Sequence, residues 1–309
     1  MTQLNIVFFG SSDFSLPSLE FCLEPPRQLV AVVTTPDQPK GRGLHLQPNP
    51  VKAYAERLGI LTLAPSSLKD SELQKKIESL KPDFFIVASY GKMIPSTYLK
   101  IPKVAPWNVH PSLLPNWRGA APIPWQILEG EREAGVTIAL VTPELDAGDV
   151  VHQIKFPFQG GETTESLTKD LAQLSKKALE ESFKQWREGK LQSLPQDHSE
   201  SNYARKLTKE DAYLDLKESA EQLERKIRAF HPWPGAFLGY QDNLLRLVEA
   251  GLDTRSAPSL KSEPGVLLEI NPQGHLVVQT GQGCLKILKV QLPGRRVVSG
   301  YEFANGRRL

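Results

Sequence analysis

Asn108 and His110 stand two residues apart in "NVHPSLLPNWRGAAP" (108–122). On an extended strand that spacing puts both side chains on one face. An amide N–H beside an imidazole can hold a developing oxyanion, at about 3–4 kcal/mol per well-placed donor. A carboxylate is wanted nearby to orient the imidazole or to hold its charge. "PELDAGDVV" (143–151) supplies two candidates, Asp146 and Asp149, on a glycine-containing loop. An Asn–His–Asp set suits acyl or one-carbon transfer better than hydride transfer. Where the acceptor is itself an amine, no serine or cysteine nucleophile is needed. Of the six histidines (45, 110, 152, 198, 231 and 275), His110 stands out. It closes an apolar strand, shares a face with Asn108 and is followed at once by the rigid "PSLLP" turn.

The elements that must position these groups follow from apolar periodicity. Strands are predicted at "LNIVFFG" (4–10), "QLVAVVT" (28–34), "DFFIVAS" (83–89), "VAPWNVH" (104–110) and "VTIALV" (136–141), with helices over 14–24, 50–58, 69–79 and 120–129. Strands apolar on both faces that alternate with helices indicate a parallel, doubly wound α/β sheet. Such sheets bind ligands at the carboxyl ends of their strands. Gly10, in "FFGSSDF", is expected to serve the tight turn out of the first strand. No GxGxxG spacing follows it, which speaks against a dinucleotide site. The loop "TTPDQPKGRGLHLQPNPVK" (34–52) carries Lys40, Arg42 and Lys52, and its glycines would let Arg42 reach a phosphate. A helix starts near Thr163 with Glu165 in its first turn, and Leu167, Leu171, Leu174, Ala178 and Phe183 form its apolar face.

After Gly189 the texture changes. "GKLQSLPQDHSESNYA" has no sustained period and reads as a connector. A helix follows at "SAEQLERKIRAF" (219–230). Beyond it lie short strands at "AFLGY", "LLRLVEA", "GVLLEI", "HLVVQT" and "CLKILKVQL", as in a small β-barrel.

With 309 residues, 40% hydrophobic and 23% charged, the chain can fill the cores of two domains. Its two cysteines, Cys22 and Cys284, belong to no CxxC or Cys/His cluster, so neither a zinc site nor a disulfide framework is expected. The apolar run in "MTQLNIVFFGSSDF" is too short for a signal peptide or a membrane span, and a cytoplasmic location is expected. Net charge is only +2, but from residue 280 onward Lys286, Lys289, Arg295, Arg296, Arg307 and Arg308 face one acid, Glu302. That local excess is a candidate footprint for a polyanion.

"NVHPSLLPNWRGAAPI", "ELDAGDV", "TTPDQPKGRG", "ASYGKMIP" and "RAFHPWPGA", with the "NGRRL" ending, together resemble the methionyl-tRNA formyltransferase family. The Asn-x-His-Pro-Ser-Leu-Leu-Pro block is shared by the wider formyltetrahydrofolate-using group, so the basic loop, "RGAAPI" and the β-rich C-terminal part narrow the acceptor. The resemblance implies a Rossmann-like formyltransferase domain over 1–189, a linker over 190–207 and an OB-like tRNA-binding domain over 208–309. It implies 10-formyltetrahydrofolate as one-carbon donor, initiator methionyl-tRNA as acceptor, and no metal. Asn108, His110 and Asp146 match the catalytic trio. Ser112, Leu113, Leu114 and Pro115 match the folate-binding turn, and Ile86, Tyr90, Gly91 and Met93 fall on the segment lining the pterin pocket. Arg42, with Lys40 on the same loop, and Lys206 in "YARKLTKEDA" match residues that engage tRNA. A cytoplasmic monomer is expected. The stretch from Leu292 onward is shorter than in longer members of the family. Other formyltetrahydrofolate enzymes remain open: a glycinamide ribonucleotide or sugar-amine formyltransferase, or a hydrolase releasing formate. A non-catalytic RNA-binding protein is a further alternative, disfavoured by the intact trio.

Overall fold

The computed structural model describes residues 3–40, 45–253, 263–264, 267–270 and 276–305. The chain forms two compact units. Residues 1–122, 133–157 and 168–205 make the first, and residues 123–132, 158–167 and 206–309 the second. Residues 190–205, which the sequence texture marks as a connector, thus belong to the first unit.

In the first unit the runs at the amino end form β1 (Leu4–Gly10), α1 (Leu16–Leu23) and β2 (Arg27–Val33). A hairpin of β3 (Gln38–Lys40) and β4 (His45–Gln47) lies within the basic loop. Next come α2 (Pro50–Arg57), β5 (Thr62–Leu63), α3 (Ser71–Ser79), β6 (Phe84–Ala88), α4 (Ser96–Leu99) and β7 (Ala105–His110). β8 (Arg118–Gly119) is followed along the chain by α5 (Pro122–Leu128), which falls in the second unit from residue 123 on, then by β9 (Glu133–Leu140), β10 (Val150–Pro157), α6 (Thr164–Arg187), which belongs to the first unit from residue 168 on, and β11 (Tyr203–Ala204). The main sheet runs β10-β9-β7-β6-β1-β2-β5. β7, β6, β1, β2 and β5 are parallel, whereas β9 lies antiparallel to β7, and β10 antiparallel to β9.

β10 is not among the strands that apolar runs predict. It is an edge strand, with Gln153, Lys155 and Pro157 exposed, so its pattern carries no continuous apolar signal.

Both faces of the parallel strands are buried. Val7, Phe9, Phe85 and Val87 point into one layer with Ile77, Tyr90 and Tyr98. The alternate residues face the other layer, where Phe183 of α6 meets Phe84 at 4.7 Å, Trp107 at 5.0 Å and Phe21 at 5.1 Å between ring centroids. The start of α6 agrees with its sequence signals: Thr163 Oγ1 accepts the Ser166 N–H, and Glu165 sits in the first turn.

Gly10 has a different role from the one its position suggests. It is the last residue of β1, beside Ala88 of β6, and its φ is not in the left-handed region. A Cβ there would lie 2.8 Å from the Ala88 carbonyl oxygen and 2.6 Å from the Phe8 ring. Close strand packing, rather than turn conformation, requires the glycine.

The second unit is built on an antiparallel sheet of β12 (Ala236–Tyr240), β13 (Asn243–Leu252), β14 (Leu267–Ile270), β15 (Leu276–Gln279), β16 (Cys284–Gln291) and β17 (Val297–Ser299). Its order is β12-β13-β16-β15-β14, with β17 paired to β16. α7 (Ala220–Ala229) packs on β13 and β16 and buries Leu223 and Ile227. Its start is a capping box in which Ser219 and Gln222 satisfy each other's backbone N–H. α8 (Gly300–Asn305) closes the described chain.

Candidate active site

β7 is parallel to β6 on one side and antiparallel to β9 on the other, and ends at His110. β9 runs back along β7 until Leu140 stands opposite Trp107, and the loop that follows folds over so that Asp146 meets Asn108 and His110. Asn108 Nδ2 donates to Asp146 Oδ1 at 3.1 Å, and Gly119 N donates to Oδ2 at 2.8 Å. His110 Nδ1 lies 3.6 Å from Asp146 Oδ1.

The other imidazole nitrogen defines the tautomer. Nε2 lies 2.8 Å from the Trp117 carbonyl oxygen, which only accepts, so Nε2 carries the hydrogen. Nδ1 is then the basic nitrogen of the neutral ring, and it faces the carboxylate. His110 is 4% exposed, and Asp146 holds a left-handed backbone at φ 53°. A non-glycine residue in that region is strained, and such strain collects where structure holds a working group in place.

The turn after the strand is held by residues that spacing does not single out. Thr137 of β9 pairs with His110 across the sheet. Its Oγ1 donates to Ser112 O at 2.6 Å and accepts from Leu114 N at 3.1 Å. Gln153 of β10 donates to Leu114 O at 2.8 Å and to Thr137 Oγ1 at 2.9 Å. Ser112 Oγ caps the turn through Asn116 O at 2.6 Å. A threonine inside the buried run "VTIALV" was the available signal for Thr137. Gln153 gave none.

A cleft beside Asn108 and Asp146 is lined by Val87, Met93, Ile94, Leu140, Val141 and Leu145. Met93 is 59% exposed, an apolar surface at the rim suited to a flat ring. Ile86 and Tyr90, placed by sequence on the same pocket, are buried instead. Ile86 alternates with Val87 and lies on the opposite face of β6. Tyr90 packs edge-on to Phe9 at 5.4 Å, and its hydroxyl has no hydrogen-bond partner among the described residues. Burial pushes its pKa up to about 12, with Tyr98 adding to the shift. Gly91 is exposed, in the turn that leads to Met93. Lys92, beside it, donates to the carbonyls of Pro65 and Ser66 at 2.9 Å each, which ties this turn down. Leu113 and Pro115 are half-buried.

Of the basic residues, Arg42 lies outside the described residues, and Lys40 ends β3. Lys206 is exposed at the start of the second unit's main stretch. In the C-terminal cluster Lys289 pairs with Glu249 at 2.6 Å and Arg296 with Glu302 at 3.7 Å. Arg307 and Arg308 lie outside the described residues. Among the described residues no His/Cys/Asp/Glu group of three or more is placed to hold a metal, and no helix is long and apolar enough to cross a membrane.

Gly148 shapes the loop that carries Asp146. A Cβ at this position would run into the Leu140 carbonyl oxygen, which is backbone and cannot move aside cheaply. Gly148→Ala is expected to destabilise the protein by about 1–3 kcal/mol, the usual range for overpacking. A denaturant midpoint equal to that of the parent would refute this.

A Rossmann-like sheet with an amide, an imidazole and a carboxylate at the carboxyl ends of its strands, on a chain that also has an antiparallel β unit, defines a group-transfer enzyme. The chain belongs to the formyl transferase family: residues 4–183 match the family model described as Formyl transferase, and residues 206–308 match its C-terminal domain. Solved structures of low identity share the fold. HypX from Aquifex aeolicus in complex with tetrahydrofolic acid is 19% identical, with a TM-score of 0.61 over 99% of this chain and 48% of that one. The chain thus spans about half the length of HypX. The N-formyltransferase from Helicobacter canadensis, in complex with folinic acid and dTDP-3-aminofucose, is 17% identical, with a TM-score of 0.68 over 94% of this chain and 100% of that one. WlaRD, a sugar 3N-formyl transferase crystallised in the presence of dTDP and 5-N-formyl-THF, is 16% identical, with a TM-score of 0.67 over 96% and 100%.

Proposed function

We propose that the protein transfers a formyl group from 10-formyltetrahydrofolate to the α-amino group of methionine on initiator methionyl-tRNA. What carries this is the joint geometry of Asn108, His110 and Asp146: a free amide N–H and a basic imidazole nitrogen converge at one strand edge, beside an apolar cleft. The folate-bearing neighbours support the donor. The sequence motifs of the basic loop and "RAFHPWPGA" support the tRNA acceptor.

The acceptor amine attacks the formyl carbon on N10. His110 Nδ1 takes the proton that the nitrogen sheds, and Asp146 Oδ1 stabilises the imidazolium so formed. Asn108 gives one N–H to Asp146, which leaves the second for the oxyanion of the tetrahedral intermediate. The intermediate collapses as the carbon–N10 bond breaks. The imidazolium returns the proton to N10, leaving tetrahydrofolate and a formamide. The pterin ring belongs against Met93, Ile94 and Leu140, with the turn at 112–115 beside it.

A sugar-linked amine is the second reading, favoured because the sugar N-formyltransferases align over their whole length with both units of this chain. The two readings separate in one assay with 10-formyltetrahydrofolate as donor. Acceptors are charged initiator tRNA, charged elongator tRNA, free methionine and dTDP-3-aminofucose. Formylation of the initiator tRNA alone is expected. Transfer to the sugar nucleotide instead, or release of formate without transfer, would overturn the tRNA acceptor.

A further inference from the structure

Residues 184–205 lie between the two stretches that match the family, yet part of this segment grips both loops of the site. Leu194 and Val150 exchange backbone hydrogen bonds at 2.8 and 2.9 Å. Asn202 accepts the Trp117 N–H through its side chain and the Arg118 N–H through its carbonyl. β11 then pairs with β8, and Ala204 O receives the N–H groups of Ala120 and Ala121. Trp117 supplies the carbonyl that fixes the His110 tautomer, and Gly119 supplies an N–H to Asp146. The strap therefore ties together the two loops that orient the imidazole and the carboxylate.

Gln196 is its centre. It is 7% exposed, and its Nε2 donates to Asp146 O at 2.9 Å and to Gly148 O at 2.6 Å. Its Oε1 accepts from Arg118 Nε at 3.1 Å and Nη2 at 2.7 Å. Arg118 Nη1 also lies 3.2 Å from His198 Nδ1. A buried guanidinium ordinarily takes a carboxylate partner, but among the described residues Arg118 has an amide and an imidazole instead. A cation on the amide oxygen polarises the carboxamide and strengthens the bonds its N–H groups donate. Those bonds hold the carbonyls on either side of Ala147, across the turn where Asp146 takes its strained φ.

We propose that Gln196, backed by Arg118, is a positioning residue for catalysis: it holds the 146–148 turn so that the Asp146 carboxylate meets His110. The proposal rests on the formyl-transfer reading of the site. Two variants of the full chain test it, with 10-formyltetrahydrofolate and charged initiator tRNA as substrates. Gln196→Met removes all four hydrogen bonds at similar length. Gln196→Glu keeps an acceptor for Arg118, and adds charge pairing, but turns a carboxylate oxygen toward the Asp146 and Gly148 carbonyls. In both, kcat is expected to fall about 10- to 100-fold, the cost of a small misplacement at the reacting centre. KM for the folate is expected to stay within a factor of about two, since Gln196 itself does not line the cleft and much of the wall comes from β6, β9 and the turn at Met93. Gln196→Glu is expected to lose more kcat than its change in melting temperature accounts for, and the pH profile of kcat is expected to shift in both variants.

Parental kcat in either variant would overturn the proposal. So would a loss of kcat that follows the loss of folded protein in both, with an unshifted pH profile, since that describes a merely structural glutamine. Failure of the functional reading looks different. If the parent formylates dTDP-3-aminofucose and not the tRNA, the acceptor falls, and the same comparison of Gln196 variants is made with that amine.

Discussion

Asp146→Asn is expected to lower kcat by about 10²–10⁴-fold, the range of a positioned acid–base group. The substitution is nearly isosteric, but the site asks position 146 to accept on both oxygens. Oδ2 takes the Gly119 N–H and Oδ1 takes the Asn108 N–H, with His110 Nδ1 at 3.6 Å on the same side. An asparagine has one acceptor oxygen, so in either orientation its NH2 meets a donor. One part-buried N–H is then left unsatisfied, a further cost to stability of about 1 kcal/mol. The negative charge that would stabilise the imidazolium is also gone. Steady-state transfer kinetics and a denaturation curve measure both effects. A variant within tenfold of the parent would remove Asp146 from the mechanism.

His110→Ala is expected to reduce kcat by a similar factor, about 10²–10⁴, while folate binding is retained. The imidazole is buried at the end of β7, and the cleft wall beside it comes from other side chains. On the proposed mechanism, truncation removes an interaction made as the amine loses its proton and leaves the cleft side chains in place. In kinetic terms kcat and kcat/KM fall together. Near-normal turnover with folate still bound would refute the role given to Nδ1. Loss of folate binding instead would mean that His110 serves the cleft, not the chemistry.

The two substitutions test different links of one chain. In the proposed mechanism Asp146 acts on the imidazole, and His110 on the acceptor amine. The double variant is therefore expected to cost little more than the worse single one, as residues that work as a unit do.

Much of the scaffold was legible in the chain. β1, β2, β6 and β7 fall where doubly apolar runs predict them, because a strand buried on both faces has no polar alternation to blur its limits. α6 was legible from its start signals and a single apolar face, and α7 as the helical stretch over 219–230. In the second unit, β12, β13, β15 and β16 follow the short apolar runs between glycines, prolines and polar turns. The edge strand β10 was not legible, since three of its eight residues are exposed and only Val151 is buried. The antiparallel direction of β9 was not legible either. Strand direction depends on how a connection crosses the sheet, which a local pattern does not encode.

For the site, sequence alone determined that Asn108 and His110 share a face, because the two-residue repeat of a strand leaves no choice. It also determined that the strand stops there, because Pro111 cannot continue the ladder. Residue type and spacing left Asp146 and Asp149 as equal candidates, and the family resemblance pointed to Asp146. The tertiary structure shows how that one joins the pair: with φ at 53°, its carboxylate meets Asn108 and Gly119. Only the tertiary structure decided which imidazole nitrogen is free, since the Trp117 carbonyl that occupies Nε2 arrives through the turn. It alone revealed Gln196, in a polar stretch without period and fifty residues from the carbonyl it holds. Local periodicity is a property of neighbours along the chain. A hydrogen bond across such a separation is set by the packing of the whole unit, and that is where the site is completed.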